Sequence, residues 1–204
     1  MEITSKKELN FVIKADLMMN RGIFKKSFID IIKDFFFPDY ISQYLQAMRK
    51  CSYYKHSGGF LFPYYYRKFR KLGLKLGFSI GYNSLGYGVV IPHYGTIVVG
   101  GSNRIGNFAV LHTSTCISDN GKIIGDAMYM STGVKMTSKL VLGNNVSIGA
   151  NSLVNKDFGS GIMIGGCPAK VLKNSEAWFV RDGVAYQEKV KKVEDLKKQL
   201  GLFE

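Results

Sequence analysis

The stretch that decides the fold runs from Ile105 to Val154: IGNFAVLHTSTCISDNGKIIGDAMYMSTGVKMTSKLVLGNNVSIGANSLV. Ile105, Leu111 and Ile117 stand six apart, and after one extra residue Ile124, Met130, Met136, Leu142, Ile148 and Val154 keep the same interval. A small residue often follows the aliphatic one, as in Ile105-Gly106, Ile124-Gly125, Leu142-Gly143 and Ile148-Gly149. A helix repeats its apolar face about every 3.6 residues and a half-buried strand about every 2, so a period of six fits neither. It is the period of a hexapeptide parallel β-helix, in which each short strand sends one aliphatic side chain inward and a small residue turns the corner. Three hexads make one triangular coil of about 18 residues, so residues 80–173 are expected to form roughly five coils.

Outward from this core the composition changes on both sides. Residues 1–78 read as helical. Ser5-Lys6-Lys7-Glu8 matches a capping box ahead of an apolar-periodic segment. Phe24 to Phe37 places Phe28, Ile31, Ile32 and Phe35 on one helix face, and Pro38 stops that helix and can open the next, which carries Ile41, Tyr44, Leu45 and Met48. Ser57-Gly58-Gly59 is a breaker. Pro63 to Leu76 is basic and aromatic, an amphipathic helix expected to lie on lipid or on the first coil. After Gly165-Gly166-Cys167-Pro168-Ala169-Lys170 the beat ends, and Val190, Val193, Leu196 and Leu200 form the stripe of a helical tail. The expected architecture is α+β: a left-handed parallel β-helix over 79–173, an α-helical domain over 1–78 and a helical tail over 174–204. The open ends of a β-helix need covering, and the helices are the expected caps or subunit contacts.

Charge and cysteine usage narrow the function classes. The net charge of +13 is concentrated in the first 78 residues, and no Asp or Glu occurs between Tyr40 and Ser118, where nine Lys or Arg do. Such a stretch attracts phosphate, CoA or anionic lipid, or is simply a solvated basic face. No apolar run is long enough to span a membrane, and the beginning, MEITSKKELNF, lacks the apolar core of a signal peptide. Three scattered cysteines suggest neither a disulfide framework nor a metal site. A reducing cytoplasm is the expected location, with peripheral contact to the inner membrane surface allowed by the charge. No phosphate-binding GxxxxGK[ST] loop is present, and no nucleic-acid role is expected.

Three segments carry a family resemblance. Gly86-Tyr87-Gly88-Val89-Val90-Ile91-Pro92-His93-Tyr94-Gly95-Thr96-Ile97-Val98-Val99-Gly100 resembles the first coils of the serine acetyltransferase group: a glycine-rich turn, then x-His-x-x-Gly, then an Ile-Val-Val/Ile-Gly strand. Ile148 to Asp157 resembles its last full coil, and Gly165 to Lys170 its closing Gly-x-Pro-Ala-Lys/Arg turn. Within that group the chain is similar to the short enzymes found with capsule and exopolysaccharide genes. The resemblance implies an acetyl-CoA-dependent O-acyltransferase that works as a homotrimer without a metal. His93 then corresponds to the catalytic base, which takes the hydroxyl proton as oxygen attacks the thioester. His112, about one coil later and beside the inward-pointing Leu111, is expected to bind the acceptor, orient an intermediate or serve the structure. The resemblance places CoA in a groove between neighbouring β-helices, along the small residues Thr132 and Ala150, with Lys156 and Lys170 for its phosphates.

The departures point to the acceptor. Serine acetyltransferases that make O-acetylserine have an Asp before the catalytic His, where this chain has Pro92. They also carry a loop His, where Cys116 to Lys122 has none. A region without carboxylates is a poor host for a cationic amino acid. The resulting expectation is transfer of acetyl from acetyl-CoA directly to a sugar hydroxyl in surface polysaccharide assembly, on a free or lipid-linked glycan. Serine O-acetylation is the first alternative, and a non-enzymatic binding or scaffold β-helix the second.

Overall fold

The computed structural model describes residues 1–202. Helices α1 (Lys6–Arg21), α2 (Phe28–Phe36), α3 (Tyr40–His56) and α4 (Phe62–Leu76) come first. The strands of a parallel β-helix follow. Its first face stacks β1 (Phe78–Ile80), β2 (Ile97–Val99), β5 (Thr115–Ile117), β8 (Lys135–Met136) and β11 (Leu153–Val154). The second face holds β3 (Arg104–Ile105), β6 (Ile123–Ile124) and β9 (Val141–Leu142). The third holds β4 (Val110–Leu111), β7 (Tyr129–Met130), β10 (Ser147–Ile148) and β12 (Ile162–Gly165), edged by the antiparallel β13 (Lys170–Asn174). Two tail helices, α5 (Trp178–Arg181) and α6 (Val184–Gln199), complete the described residues.

On the first face Phe78 pairs with Ile97, Ile97 with Thr115, Cys116 with Lys135, and Leu153 with Lys135, an advance of 18 or 19 residues per coil. The single extra residue that interrupts the hexads near Ser118 is absorbed at a corner and leaves the strand register intact. Every aliphatic residue of the beat is buried, from Ile105 at 4% exposure to Val154 at 0%. The beat also begins earlier than the Ile105 read from the sequence. Leu85, Ile91 and Ile97 are buried in the same core, and isolated bridges join Leu85 to Ile105 and Val90 to Val110. The eight-residue step from Ile97 to Ile105 hides this first coil, because a wider turn over Gly100 to Asn103 sits between them.

The helices are placed by what they cover. α1 begins with the expected capping box, the Ser5 side chain accepting from the Glu8 amide. α3 is capped by Asp39 at its N-terminus, so Pro38 ends α2 without opening α3. Tyr44, Leu45 and Met48 of α3, with Phe69, Leu72 and Leu76 of α4, join the prism core beside Phe78 and Leu85 and so close its N-terminal end. α1, α5 and α6 instead cover the third face. Trp178, 2% exposed, donates from Nε1 to the Phe108 carbonyl at 2.7 Å, and Val193 of the predicted tail stripe is fully buried. No helix among the described residues is long and apolar enough to cross a membrane.

Candidate active site

The corner between the third and first faces is where the chemistry-bearing residues meet. Successive coils turn there through Ile91 to Thr96, His112 to Ser114, Ser131 to Gly133 and Gly149 to Asn151. The stacking is carried by backbone bonds: the His112 amide donates to Met130 O (3.1 Å), Ser131 to Ile148 O (3.2 Å), Gly133 to Thr113 O (3.2 Å) and Asn151 to Thr132 O (2.9 Å). Two glycines make this packing possible. Gly133 has φ +80°, and a Cβ on it would lie 2.0 Å from the Asn151 Oδ1; Gly95 has φ +134° and would meet the Thr113 methyl at 3.1 Å.

His93 sits exposed on the first of these turns, between Pro92 and Tyr94. The backbone ahead of it, from Leu85 to Ile91, is held by α1 and α3. Asp16, 4% exposed, accepts from Arg49 Nε (2.8 Å), from Arg49 Nη2 (3.2 Å) and from the Val89 amide (3.1 Å). Arg49 is fully buried and donates to the Leu85 carbonyl (2.8 Å) and to that of Gly86. One turn after Asp16, Asn20 donates to Val89 O (2.7 Å) and accepts from the Ile91 amide (3.2 Å). The segment from Leu85 to Ile91 is therefore docked onto α1 and α3, and it ends two residues ahead of His93. Sequence reasoning passed over Asp16, Asn20 and Arg49; the signal for the first two is a pair of polar residues four apart on α1, among Phe11, Val12, Ala15 and Met19 on its buried side, and Arg49 lies among the buried residues of α3.

His112 is the deeper of the two imidazoles. Its Nε2 lies 2.9 Å from the Tyr129 hydroxyl, with the rings 5.2 Å apart. The Arg181 guanidinium stacks on Tyr129 at 4.5 Å, donates to Ser147 Oγ at 3.2 Å, and grips both oxygens of Asp182 at 2.6 and 3.1 Å. Burial lowers the His112 pKa below its ordinary 6.5, the neighbouring charge of His93 lowers it further, and Asp182 opposes both. His93, on the neighbouring turn, is near enough for its charge to act on His112. Burial raises the Tyr129 pKa, so its hydroxyl stays protonated at neutral pH. Tyr129, Arg181 and Asp182 escaped the sequence reading because the last two arrive from the tail.

Thr132 and Ala150, the small residues that the resemblance singles out, lie on this corner, eighteen residues apart. Lys170 opens β13, paired with Gly165 at the last coil's edge of the same corner. Lys156 is set apart: it follows β11 at the next corner, its ammonium 5.5 Å from the Phe158 ring. The carboxylates Asp119 and Asp126 also sit on other corners, away from His93. Asp119 accepts from the Ser102 amide (2.8 Å) on the corner between first and second faces, and Asp126 from the Asn107 amide (2.7 Å) between second and third. The loop from Cys116 to Lys122 is closed on itself: Lys122, fully buried, donates from Nζ to the Ser118 carbonyl and hydroxyl at 2.9 Å each. His56 is exposed, with Nδ1 3.1 Å from Glu2. Among the described residues no cluster of His, Cys, Asp and Glu could hold a metal ion.

Comparison with known proteins follows this geometry. No family model matches the chain. A curated serine acetyltransferase from Synechococcus elongatus is 28% identical over 98 residues, 45% of this chain and 40% of its own length. One from Helicobacter pylori is 26% identical over 95 residues, 43% of this chain and 56% of its own. The chain thus spans about half the length of the curated relatives it matches. Among solved structures, Brucella abortus serine acetyltransferase superposes with a TM-score of 0.63 at 17% identity, covering 83% of this chain and 69% of that one. A serine acetyltransferase in complex with CoA superposes with a TM-score of 0.60 at 15% identity, covering 81% and 69%. The chain is similar in sequence to serine acetyltransferases over less than half its length, and it shares their fold, a left-handed parallel β-helix behind N-terminal helices, over most of it.

Proposed function

We propose that this chain is an O-acetyltransferase that uses acetyl-CoA, with His93 as general base. The observation that carries the reading is the shared corner: an exposed His93 on a docked turn, His112 one coil away, and the small residues Thr132 and Ala150 stacked beyond them. The protein fold that superposes on it includes one structure holding CoA. In the reaction His93 takes the proton of the acceptor hydroxyl as its oxygen attacks the thioester carbonyl carbon. The C–O bond forms, the C–S bond breaks, and CoA leaves as a thiolate that receives the proton. A neutral imidazole is the right acid-base group for this work near neutral pH. Small side chains at Thr132 and Ala150 would leave room for an extended pantetheine arm, and Lys170, at the edge of the last coil, would meet the phosphates. A groove for that arm needs two prisms, so the sites lie at subunit boundaries, in a homotrimer as the family resemblance implies.

Serine is the acceptor that the comparisons favour, since the matched relatives are serine acetyltransferases. A sugar hydroxyl, in surface polysaccharide assembly, is the second reading. It is supported by Pro92 in place of the family's Asp, and by Asp182, whose two oxygens are already taken by Arg181. The basic stretch from Tyr40 to Ser118 supports an anionic or lipid-linked glycan in that case, met at the cytoplasmic membrane surface.

The test is CoA release from acetyl-CoA by the purified protein, with L-serine and with nucleotide-activated sugars as competing acceptors. Turnover that rises with serine establishes the first reading, and turnover only with a sugar the second. His93→Ala is expected to lower the rate by roughly 10²–10⁴-fold while CoA still binds. Absence of CoA binding would leave a non-enzymatic β-helix.

A further inference from the structure

The nine-residue helix α2 is the least explained part of the molecule. A capping box of Ser27 and Asp30 starts it and Pro38 ends it, so it is a well-specified helix. Yet none of its residues is buried. Phe28 is 76% exposed, Ile29 62%, Ile31 58%, Ile32 45%, Phe35 80% and Phe36 69%, and Phe37 beyond its end is 82% exposed. At 100° per residue these helical side chains fill an arc of about 160°, and Lys33, Asp30 and Asp34 fill the remainder. The polar side is tied to the body of the protein. Asp34 pairs with Lys26 and lies 3.9 Å from Arg21, which also binds Asp39 at 2.8 Å. The apolar arc therefore faces away.

A strongly basic helix, α4, ends beside the start of α3, the element that follows α2. The ammonium of Lys75, near the end of α4, sits 3.6 Å over the ring of Tyr40, at the junction that follows α2. The outer side of α4 presents Arg67, Lys68 and Lys71, with Tyr64 (60% exposed) and Leu74 (78%) between them. No acidic residue occurs from Tyr40 to Ser118 to offset these charges. A contiguous apolar patch of this size marks an interaction surface, and the neighbouring charge selects the partner. A second copy of this chain would bring the same cations together. An anionic bilayer accepts both parts: aromatic and aliphatic side chains enter the headgroup–acyl boundary while Lys and Arg meet lipid phosphates.

We infer that α2 is a membrane-surface helix that seats the protein on anionic lipid, with α4 as its electrostatic support. The inference deepens the membrane-surface reading given above and names the element that makes the contact. It stands or falls separately from acetyl transfer, because vesicle binding is measured without substrate.

The experiment uses the full chain and vesicles of phosphatidylcholine with or without phosphatidylglycerol. The chain's single Trp, Trp178, is 2% exposed, so Phe35→Trp adds a reporter over a constant background. Its emission is expected to shift to the blue with anionic vesicles and to stay unchanged with buffer alone. Phe28→Ser with Phe35→Ser should reduce co-sedimentation by about tenfold or more, with an unaltered melting temperature. Arg67→Gln, Lys68→Gln and Lys71→Gln together should remove the preference for anionic over zwitterionic vesicles. Two results would overturn the inference. One is no emission shift and no co-sedimentation at low salt. The other is the serine double variant dissociating an oligomer in light scattering while vesicles leave the wild type unbound, which would make a second copy the occupant of α2.

Discussion

Two apolar patterns in this chain meet opposite fates. The hexad residues from Ile105 to Val154 are buried almost completely, whereas the helical stripe of Phe28, Ile31, Ile32 and Phe35 is between 45% and 80% exposed. Both patterns are regular, and both correctly name the residues that share a face. The difference is where the partner lies. A coil of the β-helix finds its partner 18 or 19 residues away in the same chain, so the pattern brings its own burial with it. α2 has no such neighbour, so its stripe stays open. Periodicity reports a common face; burial needs an opposing surface.

The largest expected effect probes how the helices complete the prism. Arg49→Ala removes a guanidinium that is fully buried against Asp16 and two carbonyls. Loss of one partner leaves Asp16 buried and unpaired, and stability should fall by about 3–5 kcal/mol. Chemical denaturation measures this, and a loss under 1 kcal/mol on the same roughly drawn scale would mean the α1–α3 clamp is dispensable.

Next comes a direct contrast of the two patterns. Leu111→Ala opens a cavity in the prism and should cost about 2–5 kcal/mol. Phe35→Ser, on the open stripe, should change stability by no more than about 0.5 kcal/mol. Equal losses at the two sites in the isolated protein would break the comparison, since they would mean that α2 is covered after all.

A smaller effect is expected from Asn20→Ala, which orphans the Val89 carbonyl and Ile91 amide. The cost should be about 1–3 kcal/mol. If the docked segment sets the direction of His93, turnover should also fall more than acceptor affinity, and Asn20→Asp should restore part of it at most, because only one of the two bonds is kept.

The smallest effect is a pH dependence inside the site corner. His112 has a pKa lowered in the folded protein, chiefly by burial, among His93, Tyr129, Arg181 and Asp182. The unfolded chain then binds its proton more readily. Its contribution to stability is full above the ordinary value of 6.5 and is lost as pH falls from there through the folded pKa. Melting curves of wild type and His112→Gln should converge as the pH is lowered through that range; parallel curves would show that His112 is not held neutral by the fold.

What the sequence could state is what repeats locally. The coils, the stacking of Thr132 below Ala150 and the placement of His93 and His112 on neighbouring turns follow from spacing, because each coil touches the next at a fixed interval; the choice of those residues for a site came from the family resemblance. The capping box at Ser5 and Glu8 and the breaks at Pro38 and Ser57 are local in the same sense. The first coil was harder to see, since the step from Ile97 to Ile105 spans a wider corner. Tertiary structure alone decided the rest. Asp16 and Asn20 reach Val89 and Ile91 across about seventy residues, and Arg181, gripped by Asp182, comes back from the tail to Tyr129 and Ser147. Nothing in an isolated helix says which distant carbonyl or ring its polar side chain will meet. That is set by how the caps dock on the prism, and docking depends on the shape of the assembled faces, which no sequence interval records.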